Sequence, residues 1–153
     1  MRARSFRRFQ NYLNLKFGER PHCILDLGCG NGWLSLQLAK RPGAELWAID
    51  VNLPELEQGA RVAVAAGLSN IRFVFADILE NTLPENKFDL VVLAASAQYF
   101  PDLSELVSVL KRVLKSGGEI HFLYSPLYAS EVSRQIARAG TKAYYDNLGA
   151  PEM

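Results

Sequence analysis

Short β-type runs alternate with longer helix-type runs along nearly the whole chain, and this alternation constrains the fold more than any other feature. Residues 23–27, 45–49, 71–75, 88–93 and 119–124 read as strands, rich in Ile, Leu, Val and aromatic side chains. Residues 5–17, 33–40, 54–66, 103–114 and 129–139 carry helical periodicity or helix-forming composition. Pro54 suits the first turn of its helix and Gly67 stops it. Residues 116–118, Ser-Gly-Gly, read as a tight turn before the last strand. Strands that alternate with helices are joined by right-handed crossovers, so the expected class is α/β with a doubly wound parallel sheet. The unbroken apolar run at 88–93 fits a strand covered on both faces.

The 153 residues are the length of one ordinary domain. We read residues 1–20 as an N-terminal helix and 21–153 as a single core. A hydrophobic content of 49% with 22% charged residues excludes a disordered chain. The net charge of +1 argues against a protein held on nucleic acid by phosphate neutralisation, and no nucleic-acid partner is expected. Cys23 and Cys29 are too few for a disulfide scaffold and form no zinc-type pair. No apolar run reaches the ~18 residues needed to span a bilayer, so neither a membrane partner nor a secretory signal is expected, and the expected location is cytoplasmic. Arg2, Arg4, Arg7 and Arg8 crowd the start of the first helix. A solvated basic face explains them; contact with an acidic substrate or RNA is the competing reading.

Ligands of doubly wound sheets bind beyond the carboxyl ends of the strands, so the chemistry belongs in the loops that follow them. The first loop is Asp26-Leu27-Gly28-Cys29-Gly30-Asn31-Gly32. Its alternate glycines permit a sharp reversal and close approach of a ligand to the main chain. The spacing is GxGxG rather than the GxGxxG of dinucleotide sites. Asp50 closes the second strand about twenty residues later, where a carboxylate can accept both hydroxyls of a ribose. Asp77 follows the third strand and can accept from an adenine amino group, with the backbone of Ile78 serving the adjacent ring nitrogen. An adenosine-containing ligand satisfies all three loops.

The string ILDLGCGNG at 24–32, the acids in AIDVN and FADI, the strand start FDLVV and the segment FPDLSELVSVLKRVLKSGGEI resemble, in this order, the class I S-adenosylmethionine-dependent methyltransferases. The resemblance runs from Pro21 to Ser125, roughly two thirds of the chain. It implies a Rossmann-like sheet of strand order 3-2-1-4-5 and S-adenosyl-L-methionine as cofactor. It implies further that Gly28, Gly30 and Gly32, with the Cys29 backbone, pack against the methionyl part, while Asp26 holds its amino group directly or through water. Asp50 would bind the ribose, Val51 and Leu53 would flank the adenine, and Asp77 and Ile78 would read its edge. Leu93 and Ala94 would sit near the methionyl amine and the sulfonium.

The fourth loop, Leu93-Ala94-Ala95-Ser96-Ala97-Gln98-Tyr99-Phe100, bears on the acceptor. It lacks the Asn- or Asp-Pro-Pro-aromatic sequence of enzymes that methylate base amino groups, and Ala94 and Ala95 cannot ligate a hard cation, so no catalytic metal is expected. Gln98, Tyr99, Tyr124 and Tyr128 are candidates for lining the acceptor site, with Ser96 able to orient an acceptor. His22 precedes the first strand, His121 reads as a core histidine, and Cys29 has no partnered base, so no catalytic residue is assigned. The family usually continues past the fifth strand with a helix and an antiparallel strand pair, which residues 126–153 do not resemble. A longer parent protein, a second copy of the chain covering the fifth-strand edge as a homodimer, or the tail folding across that edge would each account for this. The resulting expectation is a methyltransferase acting on a small-molecule O or N acceptor; the alternative is a methyltransferase-like protein that binds S-adenosylmethionine in a regulatory role, without catalysis.

Overall fold

The computed structural model describes residues 2–80 and 83–125. The expected helix at 129–139, the tail beyond it and Tyr128 lie outside the described residues. Helix α1 (Arg2–Phe17) leads into strand β1 (His22–Leu27). There follow α2 (Trp33–Leu38), β2 (Ala44–Asp50), α3 (Leu53–Ala65), β3 (Ile71–Phe75), β4 (Phe88–Ala94), a 3-10 turn (Ala97–Tyr99), α4 (Leu103–Val113) and β5 (Leu114–Leu123). The sheet runs β3-β2-β1-β4-β5 with every pair parallel. The chain therefore winds outward from β1 through β2 to β3, then crosses back to β4 and β5, and its switch point lies between β1 and β4.

Period-two alternation sorts the two central strands onto two apolar cores. Leu25, Val91 and Leu93 face Leu106, Leu110 and Val113 of α4. Ile24, Leu90 and Val92 face Phe9, Leu13 and Phe17 of α1 and Leu34 and Leu38 of α2. Both faces of β4 are thus covered, which is why its sequence is apolar at consecutive positions. The spacing of Phe9, Leu13 and Phe17 puts all three on one side of α1, and all three are buried. Side-chain caps fix where α3 and α4 begin. Asn52 accepts from Glu55 N ahead of Pro54, and Asp102 accepts from Ser104 N at 2.7 Å.

Beyond shifts of one to three residues elsewhere, two expected elements differ. The helix expected at 33–40 stops at Leu38, because the chain must turn through Pro42 and Gly43 to begin β2. Gly43 has φ 72°, and a Cβ there would stand 2.6 Å from the Arg20 carbonyl oxygen. The turn expected at 116–118 is instead a bulge within β5. Leu114 pairs with Phe88 and Glu119 with Leu90, so residues 115–118 loop out opposite Asp89. Asp89 closes the gap by accepting from Lys115 Nζ at 2.7 Å and from Cys23 N at 2.8 Å. Among the described residues no helix is long and apolar enough to cross a membrane.

Candidate functional site

The first loop leaves β1 in a left-handed run: Gly28, Gly30 and Gly32 have φ of 69°, 54° and 74°. Gly28 N and Cys29 N donate to the Ile49 carbonyl at 2.8 and 3.1 Å, which fastens the loop to the end of β2. Asp50 completes the fastening. Its Oδ2 accepts from Gly30 N at 2.7 Å and its Oδ1 from Asn52 N at 2.9 Å. Each carboxylate oxygen has two lone pairs, so Asp50 keeps acceptor capacity toward a ligand. Asp77 Oδ1 accepts from Leu79 N at 2.8 Å, an Asx turn that shapes the third loop.

These loops and the end of β4 wall a cleft of about 830 Å³. Gly28, Cys29, Gly30, Asp50, Val51, Asp77, Ile78 and Ala94 line it, as expected residues of the site. Tyr99, largely exposed, stands at its edge, and Asn52, Glu55, Gln58 and Leu79 join it unforeseen. A second cavity of about 700 Å³ shares Gly28, Cys29, Ala94 and Ala95 with the cleft. It runs to Asp26, to Trp33 and Leu34 of α2, to Tyr124, and to Phe6, Arg7 and Gln10 of α1. Phe6 and Gln10 are four residues apart on one helix face, which is the signal in the sequence that marks them as a pair.

Asp26 is the unusual group of this cavity. It is wholly buried; Ser35 Oγ donates to its Oδ2, while its Oδ1 has no partner. Burial pushes its carboxyl up to about 6, and the nearby Asp50 charge adds to the rise against the hydrogen bonds from Ser35. A buried, half-satisfied carboxylate facing a cavity is ready for a cationic donor. The Cys29 thiol is also pushed upward, chiefly by burial and then by Asp26 and Asp50, which keeps it protonated and inert.

Four of the expected residues line neither cavity. Gly32 is buried against Phe73, whose ring a Cβ would meet at 2.6 Å, so this glycine serves helix–sheet packing rather than a ligand surface. Leu93 is fully buried in the α4-side core because β4 alternates inward there. Leu53 opens α3 half exposed, outside the residues that wall the cleft. Gln98 is exposed and donates to the Ala95 carbonyl, outside both cavities, because the 3-10 turn directs it back along the chain. Ser96 does not face the cleft freely either: its Oγ donates to the Leu27 carbonyl at 2.6 Å, and a Cβ at Gly28 would lie 2.4 Å from Ser96 Cβ. His22 is buried at the amino end of β1, stacked on Phe17 at 4.5 Å, with burial lowering its pKa. His121 is half-buried in β5 with its Nε2 2.9 Å from Glu119 Oε2. Neither histidine lines either of these two cavities. Ala95 and Tyr124, at the ends of β4 and β5, hold φ of 58° and 59° beside the second cavity. Non-glycine residues avoid this region, and such strain collects at functional sites.

The model of the methyltransferase domain matches residues 24–118, a span that runs from within β1 into β5 and holds both acidic loops and the glycine run. This chain belongs to the methyltransferase-domain family. Its sheet order is that of the class I, Rossmann-like members. A probable chloroplastic tocopherol O-methyltransferase of Oryza sativa subsp. japonica is 36% identical over 103 residues, 67% of this chain and 28% of its own length. A malonyl-[acyl-carrier protein] O-methyltransferase of Pseudescherichia vulneris is 35% identical over 117 residues, 76% of this chain and 44% of its own. The methyltransferase domain here therefore spans less than half the length of these relatives. The crystal structure of a putative S-adenosyl-L-methionine-dependent methyltransferase from Methanococcus maripaludis superposes with a TM-score of 0.71 at 23% identity, over 97% of this chain and 67% of that one. That likeness is one of fold.

Proposed function

We propose that this methyltransferase domain binds S-adenosylmethionine across the two joined cavities and directs its methyl group to an O or N atom of a small-molecule acceptor. The observation that carries the reading is the unpaired Oδ1 of the wholly buried Asp26, a residue that lines the second cavity two positions before Gly28, which the two cavities share. An ammonium group there would satisfy the oxygen and lower the carboxyl below about 6. The names of the relatives support a small acceptor: tocopherol in one, a malonyl group on a carrier protein in another.

In this reading Asp26 holds the amino group of the methionyl part and the backbone of Gly28 to Gly30 lies against it. Asp50 takes the ribose hydroxyls with the lone pairs left over from Gly30 and Asn52. Asp77 and the Ile78 backbone take the adenine edge, with exposed Val51 against the ring. When bound, S-adenosylmethionine supplies a methyl group on a sulfonium sulfur. The surroundings the chain offers there, Ala94 and Ala95 with Trp33, Leu34 and Phe6 beyond, are mostly apolar. Apolar walls suit a reaction whose cationic charge disperses, and they exclude competing water. With no histidine on either cavity, the domain's contribution is orientation, which supplies up to ~7–11 kcal/mol for well-placed reactants. Tyr99 and Tyr124 stand where an acceptor would be held.

Titration calorimetry with S-adenosylhomocysteine and with NADH tests the ligand. Binding of the first and not the second is expected, and the reverse would refute the reading. Asp50→Ala removes a charge-assisted hydroxyl acceptor, so affinity for S-adenosylhomocysteine should fall by ~1.5–3 kcal/mol. The second reading, binding without transfer, is favoured by the lack of a histidine at the site. Release of methyl from labelled S-adenosylmethionine to a metabolite panel separates the two.

A further inference from the structure

We propose that Glu119 is a positioning residue: from β5 it anchors α1 so that the amino-terminal turns of that helix roof the Asp26 cavity and complete the methionyl half of the site. This rests on the cofactor reading above. The first turns of α1 have little to hold them by themselves. Arg4, Ser5, Arg7 and Arg8 are exposed and Phe6 is only half-buried; the buried seam begins at Phe9. Yet Phe6, Arg7 and Gln10 form one wall of the cavity, and the Phe6 ring reaches Trp33 across it, 5.4 Å between centroids. Where that wall stands depends on how firmly the rest of α1 is held.

Glu119 adds a polar hold to the buried seam of Phe9, Leu13 and Phe17. Tyr12 Oη donates to its Oε2, Lys16 Nζ pairs with its Oε1, and His121 Nε2 approaches its Oε2 at 2.9 Å. Tyr12 and Lys16 are four residues apart and therefore share one face of α1. Glu119 and His121 are two apart and share one face of β5. The His121 ring lies against both Phe9 and Tyr12, at 5.3 and 5.2 Å between centroids. Helix and strand thus meet in one cluster, with Glu119 as the acceptor for every polar donor in it. Burial by itself would raise the Glu119 carboxyl, but Lys16, Tyr12 and His121 outweigh it and hold it at about 2. The cluster lines neither of the two cavities, so its members are not placed to touch a ligand held there. Its effect reaches the site through the helix, and only through the cavity that the helix walls; the adenosine cleft has no α1 residue among its lining.

That division gives a test. Binding of S-adenosylhomocysteine, which carries the amino-acid arm, and of 5′-methylthioadenosine, which lacks it, is measured by calorimetry for the wild type, Glu119→Ala, Glu119→Gln and Tyr12→Phe. Glu119→Ala should weaken S-adenosylhomocysteine at least tenfold and leave 5′-methylthioadenosine within twofold. Glu119→Gln, which keeps an acceptor for Tyr12, should recover part of the loss, and Tyr12→Phe should lose less than Glu119→Ala. Hydrogen exchange reads the anchor without any ligand: Glu119→Ala should speed exchange in α1 and leave β1 and β4 protected. Unchanged exchange in α1, equal loss of both ligands, or no loss of either overturns the proposal. A wild type that binds neither ligand overturns the cofactor reading instead, while the exchange result still decides whether Glu119 holds the helix.

Discussion

Asp26 is wholly buried with one carboxylate oxygen unpartnered, and its carboxyl is raised to about 6 from an ordinary 3.8. Between those values the folded chain holds a proton that the unfolded chain has released, so stability falls as pH rises through that window. Asp26→Asn should remove this fall, as thermal unfolding across pH 4 to 7 would show. A bound ammonium reverses the balance, because it favours the carboxylate. Affinity for S-adenosylhomocysteine should therefore weaken by about tenfold per pH unit below about 6, and the Asn variant should bind weakly with a flat profile. Gly28 gives a second prediction at this scale. A side chain there meets both a φ of 69° and a Ser96 Cβ 2.4 Å away. Gly28→Ala should cost ~2–5 kcal/mol in denaturant unfolding, the sum of left-handed strain and overpacking. Ser96→Gly in the same chain should return part of it. The sequence marked Asp50 and Asp77 because strand-end acids after a glycine loop are few and ordered, whereas Asp26, which precedes the glycines within β1, was marked only by the family resemblance. It could not mark the loose oxygen of Asp26, which depends on Ser35 arriving from α2, nor the use of Gly32 against Phe73, which depends on β3.

Among the elements, α1 shows the difference between what periodicity reveals and what it conceals. The spacing of Phe6, Phe9, Leu13 and Phe17 announces one apolar face; Phe9, Leu13 and Phe17 bury it against β1, β4 and α2, while Phe6 is left half-buried on the second cavity. Leu13 is fully buried, so Leu13→Ala should cost ~2–5 kcal/mol by chemical denaturation. The polar side of the same helix was not readable as an anchor, since Tyr12 and Glu119 are separated by 107 positions and meet only once β5 lies beside β4. The Glu119 carboxyl is depressed to about 2 from an ordinary 4.5, so its contribution is present above pH 4.5 and lost as pH falls toward 2. Acid unfolding should start earlier in the wild type than its other carboxylates require, and Glu119→Gln should remove that part of the pH dependence. The bulge of β5 was hidden for a related reason. Ser116, Gly117 and Gly118 are the residues of a turn, and only the pairing of Leu114 with Phe88 shows that the strand has already begun.

Over the whole molecule, alternation and crossover handedness made a parallel, doubly wound sheet legible in the sequence, while its order 3-2-1-4-5 was implied by the family resemblance. The site is a consequence of that order. β1 and β4 are neighbours in space and 60 residues apart in sequence, so the loops after them open a crevice that β2 and β3 extend on one side and β5 and α1 on the other. The crevice has two compartments of different chemistry: an acid-lined cleft suited to a nucleoside, and an aromatic cavity with a single buried carboxylate. In the proposed reading, such a pair of compartments accepts one molecule with a nucleoside at one end and an ammonium at the other. The most direct test is calorimetric titration of the full 153-residue chain with S-adenosylhomocysteine at pH 7.5, beside Asp26→Asn and Asp50→Ala. The account predicts one-site binding by the wild type, weakened at least tenfold by each substitution. Absence of binding by the wild type, or affinity indifferent to both carboxylates, would contradict it.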